Sequence, residues 1–267
     1  MKYEKEHEDM SKILITGGAG FVGSHLADRM IAEGHQVVII DDLSNGHVEF
    51  VPKGCSTLYS DLADPSVLRF ITQSKFDIVY HLAAKPRVSY SVEHPAETSD
   101  ENIGKTVRLL EACRNSVGRF IFTSSSSVYG DAQNKPTPED SQLNPLSPYA
   151  LQKVVGEKFC EMFSDLYEID TAIVRPFNLF GPRQLANGPY GTVVSSWIDA
   201  IKHDKELRVD GDGSQVRDMT HVTNVVDVFA RVGAYKGKLS GQTFNAGTGT
   251  TVSNKQILAW LLKKHPA

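Results

Sequence analysis

The stretch KILITGGAGFVGSHLADRMIAEG, residues 12–34, decides the fold. It opens with a short apolar run of the length of a buried strand. Its second half places apolar residues at helical spacing and ends at Gly34, and glycine commonly follows the last turn of a helix. Between the two lie Gly17, Gly20 and Gly23. The stretch therefore predicts a strand, a tight glycine turn and a helix.

The three glycines are compatible with a dinucleotide site, although tight turns also produce spaced glycines. A pyrophosphate needs bare backbone at a strand–helix turn and free N–H groups at the helix N-terminus. Asp41 ends the next apolar run, QVVII (36–40), 18 positions after Gly23. A carboxylate there can accept hydrogen bonds from the adenosine ribose and repels a 2′-phosphate, which favours NAD over NADP. Asp42 could share this role or be a solvated loop acid.

The rest of the chain repeats the alternation of strand and helix. Further apolar runs at 76–82, 119–123 and 170–176 alternate with helical stretches at about 64–74, 96–116 and 146–165. Strands that are apolar throughout, rather than on alternate residues, indicate a parallel sheet covered on both faces. The sequence therefore predicts an α/β fold with a doubly wound parallel sheet.

The chain divides near Pro176, where the alternation weakens and Gly and Pro become frequent. We expect residues 1–10 to be a frayed extension, 11–176 to form the dinucleotide-binding domain and 177–267 to form a smaller substrate-binding region. Within that region, a helix and a strand at about 217–247 are expected to return to the main sheet.

Composition excludes several classes of protein. The chain has 267 residues, 40% of them apolar, and a formal net charge of −4, which suits a globular core and disfavours a nucleic-acid or membrane surface as partner. Three scattered cysteines without a C-x-x-C pair indicate reduced thiols in the cytoplasm. No group of His, Cys and carboxylate residues has the spacing of metal ligands, so no metal is expected.

A second pattern, YALQK, places Tyr149 and Lys153 on one face of a predicted helix. Tyrosine is a poor base at its ordinary pKa of about 10. An adjacent ammonium, together with a positive nicotinamide ring, favours the phenolate and lowers that pKa. The alternative is an unrelated surface pair.

Six motifs together resemble the extended short-chain dehydrogenase/reductases that act on nucleotide sugars, most closely the UDP-galactose 4-epimerase branch. The motifs, in chain order, are TGGAGFVG (16–23), SDL (60–62), HLAA (81–84), SSSSVYG (124–130), SPYALQK (147–153) and RPFNLFGPRQ (175–184). The resemblance runs from about Ser11 to the end. It implies a Rossmann-type fold, NAD, a UDP-sugar substrate and a homodimer formed by the helices near 96–116 and 146–165. A monomer with solvated helix faces is the alternative.

The resemblance assigns three catalytic residues. Tyr149 would be the base, and Lys153 would hold the nicotinamide ribose and tune the tyrosine. Ser125 would bind the sugar hydroxyl being oxidised and help move its proton to Tyr149. The cofactor contacts that the resemblance implies are Gly17, Gly20, Phe21, Val22, Gly23, Asp41, Asp42, Asp61, Leu62, Leu82, Ala83, Ala84, Asn102, Ser124, Tyr149, Lys153 and Pro176.

The substrate contacts implied, besides Ser125, are Asn178 and Arg217 at the diphosphate. A guanidinium suits phosphate oxygens in pairs. A surface ion pair with Asp218 is the alternative for Arg217. His81 and His221 are acid–base candidates by residue type, but a buried strand end and the start of a loop favour structural roles for them.

Ser126 and Ser127 are expected to be loop hydroxyls. Relatives that dehydrate sugars carry an acidic pair at these positions, and relatives that decarboxylate UDP-glucuronate carry a glutamate at the second. Without either carboxylate, the simplest cycle is epimerisation at C4. Another nucleotide-sugar dehydratase, reductase or dehydrogenase, or a non-catalytic NAD-binding protein, remains as an alternative. The family continues beyond LAWLLKKHPA, so the substrate-binding region is expected to be shortened.

Overall fold

The computed structural model describes residues 10–132, 136–186, 192–209 and 211–264. The strands of these residues are β1 (Lys12–Thr16), β2 (Gln36–Asp41), β3 (Ser56–Tyr59), β4 (Ile78–His81), β5 (Arg119–Thr123), β6 (Asp170–Pro176), β7 (Asn178–Phe180), β8 (Val216–Arg217), β9 (Met219–His221), β10 (Gln242–Ala246) and β11 (Val252–Ser253). The helices are α1 (Phe21–Ala32), α2 (Pro65–Ser74), α3 (Val88–Glu93), α4 (Pro95–Ser99), α5 (Lys105–Cys113), α6 (Pro148–Tyr167), α7 (Val193–Lys202), α8 (Val222–Ala234) and α9 (Asn254–Lys264). The expected frayed extension falls largely on residues 1–9, outside the described part.

Seven strands form one parallel sheet in the order β3-β2-β1-β4-β5-β6-β10. The strand order reverses at β1, which pairs with both β2 and β4. Crossover connections diverge from such a point and leave a crevice at the carboxyl ends of the strands, where ligands bind in doubly wound sheets. The predicted Rossmann-type α/β fold is confirmed.

Helices cover both faces of the sheet. Side chains alternate between the faces along each strand, so Ile13 and Ile15 pack on one side and Leu14 on the other. Residues of α1 and α8 belong to the first core cluster, and residues of α2, α5 and α6 to the second. Each fully buried aliphatic side chain contributes roughly 1.5–3 kcal/mol, so the strands are held from above and below.

The elements that differ from the sequence prediction include an edge strand and a helix. The edge strand β3 was not predicted, because its residues STLY are largely exposed and lack a continuous apolar run. The predicted helix at 96–116 is interrupted by a π-helical turn at Asp100–Gly104, between α4 and α5. This turn carries the buried side chain of Asn102.

The chain beyond Pro176 returns to the main sheet. Strand β10 pairs in parallel with β6, and α8 packs against α1 and the sheet. Two small sheets, β7 with β9 and β8 with β11, stand beside the carboxyl end of β6. This arrangement places the short elements of the C-terminal region next to the crevice.

Candidate active site

The glycine turn forms a backbone cradle beside β4. Gly17 has φ +71°, and a Cβ atom there would lie 2.7 Å from the backbone nitrogen of Ala83. A Cβ atom on Gly23 would overlap the carbonyl oxygen of Gly17. Helix α1 begins directly after Gly20, and no side chain caps it. Phe21 and Val22 form the first turn, whose N–H groups suit an anion, so the cradle fits a pyrophosphate.

Asp41 ends β2 beside the glycine turn. Its buried carboxylate accepts hydrogen bonds from the backbone N–H groups of Ala19 and Leu43, both at 2.9 Å. Burial raises its pKa, and these hydrogen bonds oppose the increase. Each oxygen keeps a lone pair that can accept from a ribose hydroxyl. Asp42, in contrast, is exposed, and its carboxylate accepts from the Ser44 N–H at 2.8 Å.

A cleft lies beside Asp41, at the carboxyl ends of β2, β3 and β4. It is lined by Ile40, Asp41, Asp42, Ser44, Ser60, Leu62, Ala83, Ala84, Lys85, Glu101 and Lys105. Lys105 was missed by the sequence analysis. Its ammonium lies 3.0 Å from Asp61 and 2.7 Å from Glu101. Although desolvation opposes the change, hydrogen bonds from Ala63 and Lys105 lower the pKa of Asp61. The i,i+4 spacing of Glu101 and Lys105 was the available signal.

Asn102 supports the cleft from behind rather than lining it. Its Oδ1 accepts from the Lys85 N–H at 2.7 Å, and its Nδ2 donates to the Lys85 carbonyl at 3.1 Å and to Gln152 Oε1 at 2.7 Å. Both amide hydrogens are therefore engaged. The structure ties the loop after β4, which includes Leu82, Ala83 and Ala84, to α6 through this side chain.

The two histidines are structural. His81 is buried between the hydroxyls of Thr16 and Thr106, at 2.7 and 2.9 Å, and burial lowers its pKa to about 3. His221 was expected to begin a loop, but it caps α8 instead. Its Nδ1 atom accepts a hydrogen bond from the Thr223 N–H at 3.3 Å. Both rings are engaged within the fold.

The predicted catalytic residues come together between the carboxyl end of β5 and the first turns of α6. Tyr149 lies in the first turn of α6, is buried, and has its backbone N–H fixed by Ser91 Oγ at 3.0 Å. The Ser125 hydroxyl hydrogen-bonds to the Tyr149 side chain. Ser127 Oγ in turn donates to Ser125 Oγ at 2.9 Å. Ser127 is thus part of the hydroxyl chain, a role that the sequence analysis missed.

Lys153 is buried one helical turn beyond Tyr149. Its ammonium donates to the Thr123 carbonyl at 2.7 Å and lies 5.8 Å from the centroid of the Tyr149 ring. Burial lowers its pKa to about 8, which Glu157 opposes.

The expected lowering of the Tyr149 pKa is not produced by the protein's own groups. Burial raises that pKa to about 12, and only the Ser125 hydrogen bond acts against the increase. The expectation relied partly on the charge of an oxidised nicotinamide ring. The buried phenol needs that charge, in addition to the Lys153 ammonium, to become a base near neutral pH.

A buried polar network lies beneath the catalytic turn. Ser124 Oγ donates to Glu157 Oε1 at 2.5 Å, and Arg175 binds both carboxylate oxygens of Glu157, at 2.8 and 2.6 Å. Arg175 also donates to the Tyr129 hydroxyl at 2.6 Å. Glu157 was not predicted, although it follows Lys153 by four residues on the same helix face.

Asp218 holds one of the two diphosphate candidates, Asn178. The backbone N–H and Nδ2 of Asn178 both donate to the Asp218 carbonyl at 3.2 Å. Among the described residues, the Asp218 carboxylate pairs with the N–H groups of Thr248 and Gly249 and not with Arg217. The exposed Arg217 side chain donates to the Val216 carbonyl at 2.8 Å.

The described residues show no sign of a membrane-spanning helix or a metal centre. They contain no helix that is long and apolar enough to cross a membrane. They also contain no cluster of three or more His, Cys, Asp or Glu side chains that could hold a metal ion.

Comparison with known proteins identifies the family. The model described as the NAD dependent epimerase/dehydratase family matches residues 13–247. A UDP-glucose 4-epimerase from Mycolicibacterium smegmatis is 40% identical over 253 residues, which cover 92% of this chain and 80% of that protein.

Solved structures agree. A UDP-glucose 4-epimerase from Thermotoga maritima, crystallised with UDP-glucose, superposes with a TM-score of 0.91 and 33% identity, covering 96% of this chain and 84% of its own. A UDP-glucuronic acid 4-epimerase from Bacillus cereus, in complex with UDP-glucuronic acid and NAD, superposes with a TM-score of 0.85 and 31% identity, covering 94% and 82% of the two chains.

NAD is the cofactor of this enzyme, and the residues present fit it. Gly17 and Gly23 let the turn pack against the backbone of β4 and of the turn itself, which any Cβ atom would prevent. The first N–H groups of α1 carry no side-chain cap and suit a pyrophosphate, and Asp41 presents a carboxylate where the ribose of NAD lies in such folds. The chain belongs to the NAD-dependent epimerase/dehydratase family, the nucleotide-sugar branch of the extended short-chain dehydrogenase/reductases.

Proposed function

We propose that this protein interconverts UDP-sugars by inverting the configuration at C4. The observation that carries the proposal is the chain of hydroxyls Ser127–Ser125–Tyr149 beside Lys153, on a turn that holds no carboxylate. Elimination or decarboxylation needs an additional acid or base at the sugar. Hydroxyls at positions 126 and 127 favour a cycle of oxidation and reduction alone.

When bound, NAD would supply the acceptor for the C4 hydride and the donor for its return. The O–H proton of the 4-hydroxyl passes through Ser125 to Tyr149 as the C4–H bond breaks, which leaves a 4-keto sugar. Reduction of its opposite face returns the proton by the same route. Electrons and protons therefore balance without an external oxidant, and the net reaction is isomerisation.

Lys153 sets the charge of the site. Its ammonium lies on the helix face of Tyr149 and is anchored by the Thr123 carbonyl. A phenol with a pKa of about 12 is protonated at neutral pH, so the base function depends on nearby positive charge. We assign Lys153 to this task and to hydrogen bonding of the nicotinamide ribose.

The UDP moiety would be held by Asn178 and Arg217, at the carboxyl end of β6 and on β8. We divide the chain accordingly into an NAD-binding domain at 11–176 and a substrate-binding region at 177–267. UDP-glucose is the first substrate to test, because the Thermotoga maritima relative was solved with it.

The test is product analysis. UDP-galactose, UDP-glucose and their N-acetyl forms are incubated separately with the protein, without added NAD, and the products are separated by chromatography. We expect interconversion with no net NADH. Tyr149→Phe should abolish it while the protein remains folded. Loss of water from the sugar, or NADH formed in proportion to product, would contradict the proposal.

We also propose a homodimer. Leu151 and Met162 lie on one face of α6 and are exposed, as is Val92 on the adjacent α3. These exposed apolar side chains on and beside the longest described helix fit a helix–helix contact between two copies. Sedimentation velocity should show a dimer that the paired change Leu151→Glu and Met162→Glu converts to a folded monomer. A wild-type monomer at micromolar concentration would refute this.

The cytoplasm is the compartment that we propose. The three cysteines are unpaired in the structure, and Cys113 and Cys160 are buried thiols that burial keeps from ionising. Unpaired thiols are typical of a reducing compartment. Fractionation of the source cells would test the assignment, and recovery outside the cytoplasm would overturn it.

A further inference from the structure

Glu157 is a carboxylate that the proposed mechanism does not use. It follows Tyr149 and Lys153 at i+8 and i+4 on α6, and its side chain is 0% exposed. A buried charge is retained only when it is paired and hydrogen-bonded. The partners of Glu157 therefore indicate what the residue does.

Those partners join the ends of two adjacent strands. Ser124, directly after β5, donates to one oxygen of Glu157, and Arg175, near the end of β6, binds both oxygens. The Ser124 N–H also donates to the Val174 carbonyl at 2.8 Å. The start of the catalytic turn is thus fixed to α6 and β6 at once.

Arg175 fixes the far end of the same turn. Its Nη1 atom donates to the Tyr129 hydroxyl at 2.6 Å, and that hydroxyl donates to Asn245 Oδ1 at 2.7 Å. Ser125 and Ser127 lie between the two anchored positions, Ser124 and Tyr129. A single ion pair, Glu157–Arg175, therefore holds both ends of the segment that carries the hydroxyl chain.

Glu157 also provides negative charge near Lys153. The other titratable groups that bear on this lysine or contact it are Tyr149 and Cys160 on α6 and His81 on β4. Burial keeps the phenol, the thiol and the imidazole uncharged near neutral pH. Arg175, in β6, offsets part of the carboxylate charge through its two hydrogen bonds to Glu157. Glu157 is thus the anion that supports the Lys153 ammonium.

We propose that Glu157 is a positioning residue of the active site, which holds the catalytic turn through Ser124 and Arg175 and stabilises the charged form of Lys153. The role of Glu157 in holding the catalytic turn rests on the proposed epimerase function, because it is tested by measuring kcat. Its role in stabilising the charged form of Lys153 rests only on NAD binding, so it is tested even if the sugar reaction is not the one proposed.

Two variants separate geometry from charge. Glu157→Asp keeps the charge but shortens the side chain, so it cannot reach Ser124 and both nitrogens of Arg175 together. The double variant Glu157→Gln with Arg175→Gln removes both charges of the pair, so neither partner is left as an unpaired buried ion. Tyr129→Phe removes one hydroxyl from the other end of the turn and carries little risk of unfolding. The matched control is the double variant Arg119→Gln with Asp170→Asn. These two residues form a buried pair at the amino ends of β5 and β6, away from the catalytic turn.

Three measurements are made on protein shown by circular dichroism to be folded. They are kcat and KM for UDP-glucose, and the dissociation constant of NADH between pH 6 and 9.5. We expect Glu157→Asp to lower kcat about tenfold at unchanged KM. Tyr129→Phe should lower it about threefold, because the hydrogen bonds of its hydroxyl to Arg175 and Asn245 are both lost. In the double variant, the pH at which NADH binding weakens should fall by about one unit.

The control pair should alter neither kcat per folded molecule nor the pH at which NADH binding weakens. Wild-type kcat in both Glu157→Asp and Tyr129→Phe would overturn the positioning role. An unchanged pH dependence of NADH binding in the double variant would overturn the electrostatic role. If wild-type protein binds NADH but converts no UDP-sugar, the proposed function fails, and the NADH measurement still decides the electrostatic half.

Discussion

Strand β6 carries a buried arginine–carboxylate pair near each of its ends, and the two pairs serve different purposes. Near the amino end, Asp170 binds Arg119 at 2.7 Å, and near the carboxyl end Arg175 binds Glu157 at 2.6 Å. Their chemistry is the same, and both are nearly inaccessible to water. What differs is the set of groups that each pair orients, because a buried ion pair is by itself weak evidence for stability.

The amino-end pair holds the C-terminal region to the sheet. Arg119 donates to the carbonyls that end α8 and follow it, while Asp170 accepts from the N–H groups of Leu239 and Ser240 before β10. The carbonyls belong to Val232, Gly233, Tyr235 and Gly237. The carboxyl-end pair instead holds the catalytic turn. One pair therefore fixes the C-terminal region to the sheet, and the other fixes the turn that carries Ser125.

Breaking the amino-end pair should have the largest effect on stability. Arg119→Met leaves Asp170 as an unpaired buried charge, and the free energy of unfolding should fall by about 3–5 kcal/mol. Activity per folded molecule should not change. Urea unfolding gives the first value and kinetics at low temperature give the second. The control is Arg231→Met, which breaks a surface pair with Asp227 at a side chain 79% exposed and should be nearly neutral. A loss below 1 kcal/mol in Arg119→Met would remove the distinction between the two ends.

Replacing the Lys153 cation, at the carboxyl ends of the strands, should change the stability in the opposite direction. Burial lowers the Lys153 pKa from 10.5 to about 8, so folding works against the charged form by up to about 3 kcal/mol below pH 8. The lost hydrogen bond to Thr123 offsets about 1 kcal/mol of the gain. Lys153→Met should therefore be at least as stable as wild type at pH 7, while turnover falls at least 100-fold.

The sign of this effect can be checked by pH. Between pH 8 and 10.5 the unfolded lysine binds more protons than the folded one, so the wild type gains stability relative to Lys153→Met as pH rises. Thermal unfolding of both proteins across this range measures the difference. A variant that is less stable at pH 7 and shows no change in the difference would contradict the prediction.

His81, also at the carboxyl ends of the strands, should make the protein sensitive to acid. Its folded pKa is about 3 and its unfolded value is 6.5, so only the unfolded state takes up its proton between them. Lowering the pH from 6.5 to 5 should remove about 2 kcal/mol of stability through this residue. His81→Gln should be less stable at pH 7 but lose correspondingly less on acidification. Equal losses in the two proteins would show that other groups cause the acid sensitivity.

How far the sequence predicts these features depends on how far apart in the chain their parts lie. Tyr149 and Lys153 share a helix face, so their proximity follows from spacing. The two ion pairs join residues 51 and 18 positions apart, which no local pattern reveals.

Other details depend on backbone geometry that residue types do not fix. Asp41 rather than Asp42 points inward because the turn that follows places Leu43 at φ +59° and aims its N–H at Asp41. Strand β3 escaped prediction because it forms the sheet edge and buries little.

The smallest expected effect concerns the serines between the anchors of the catalytic turn. Their sequence does not distinguish them, but the 3-10 turn at Ser126–Tyr129 directs the Ser127 hydroxyl to Ser125. Ser127→Ala should lower kcat about two- to fivefold, since it removes one hydrogen bond worth about 1 kcal/mol or less in this setting. Ser126→Ala is the matched control and should retain wild-type kcat. Stability should be nearly unchanged in both, because neither hydroxyl takes part in the Glu157–Arg175 pair. If the two variants behave alike, the turn orients Ser125 through its backbone alone, and the contribution of the carboxyl-end pair reduces to anchoring Ser124 and Tyr129.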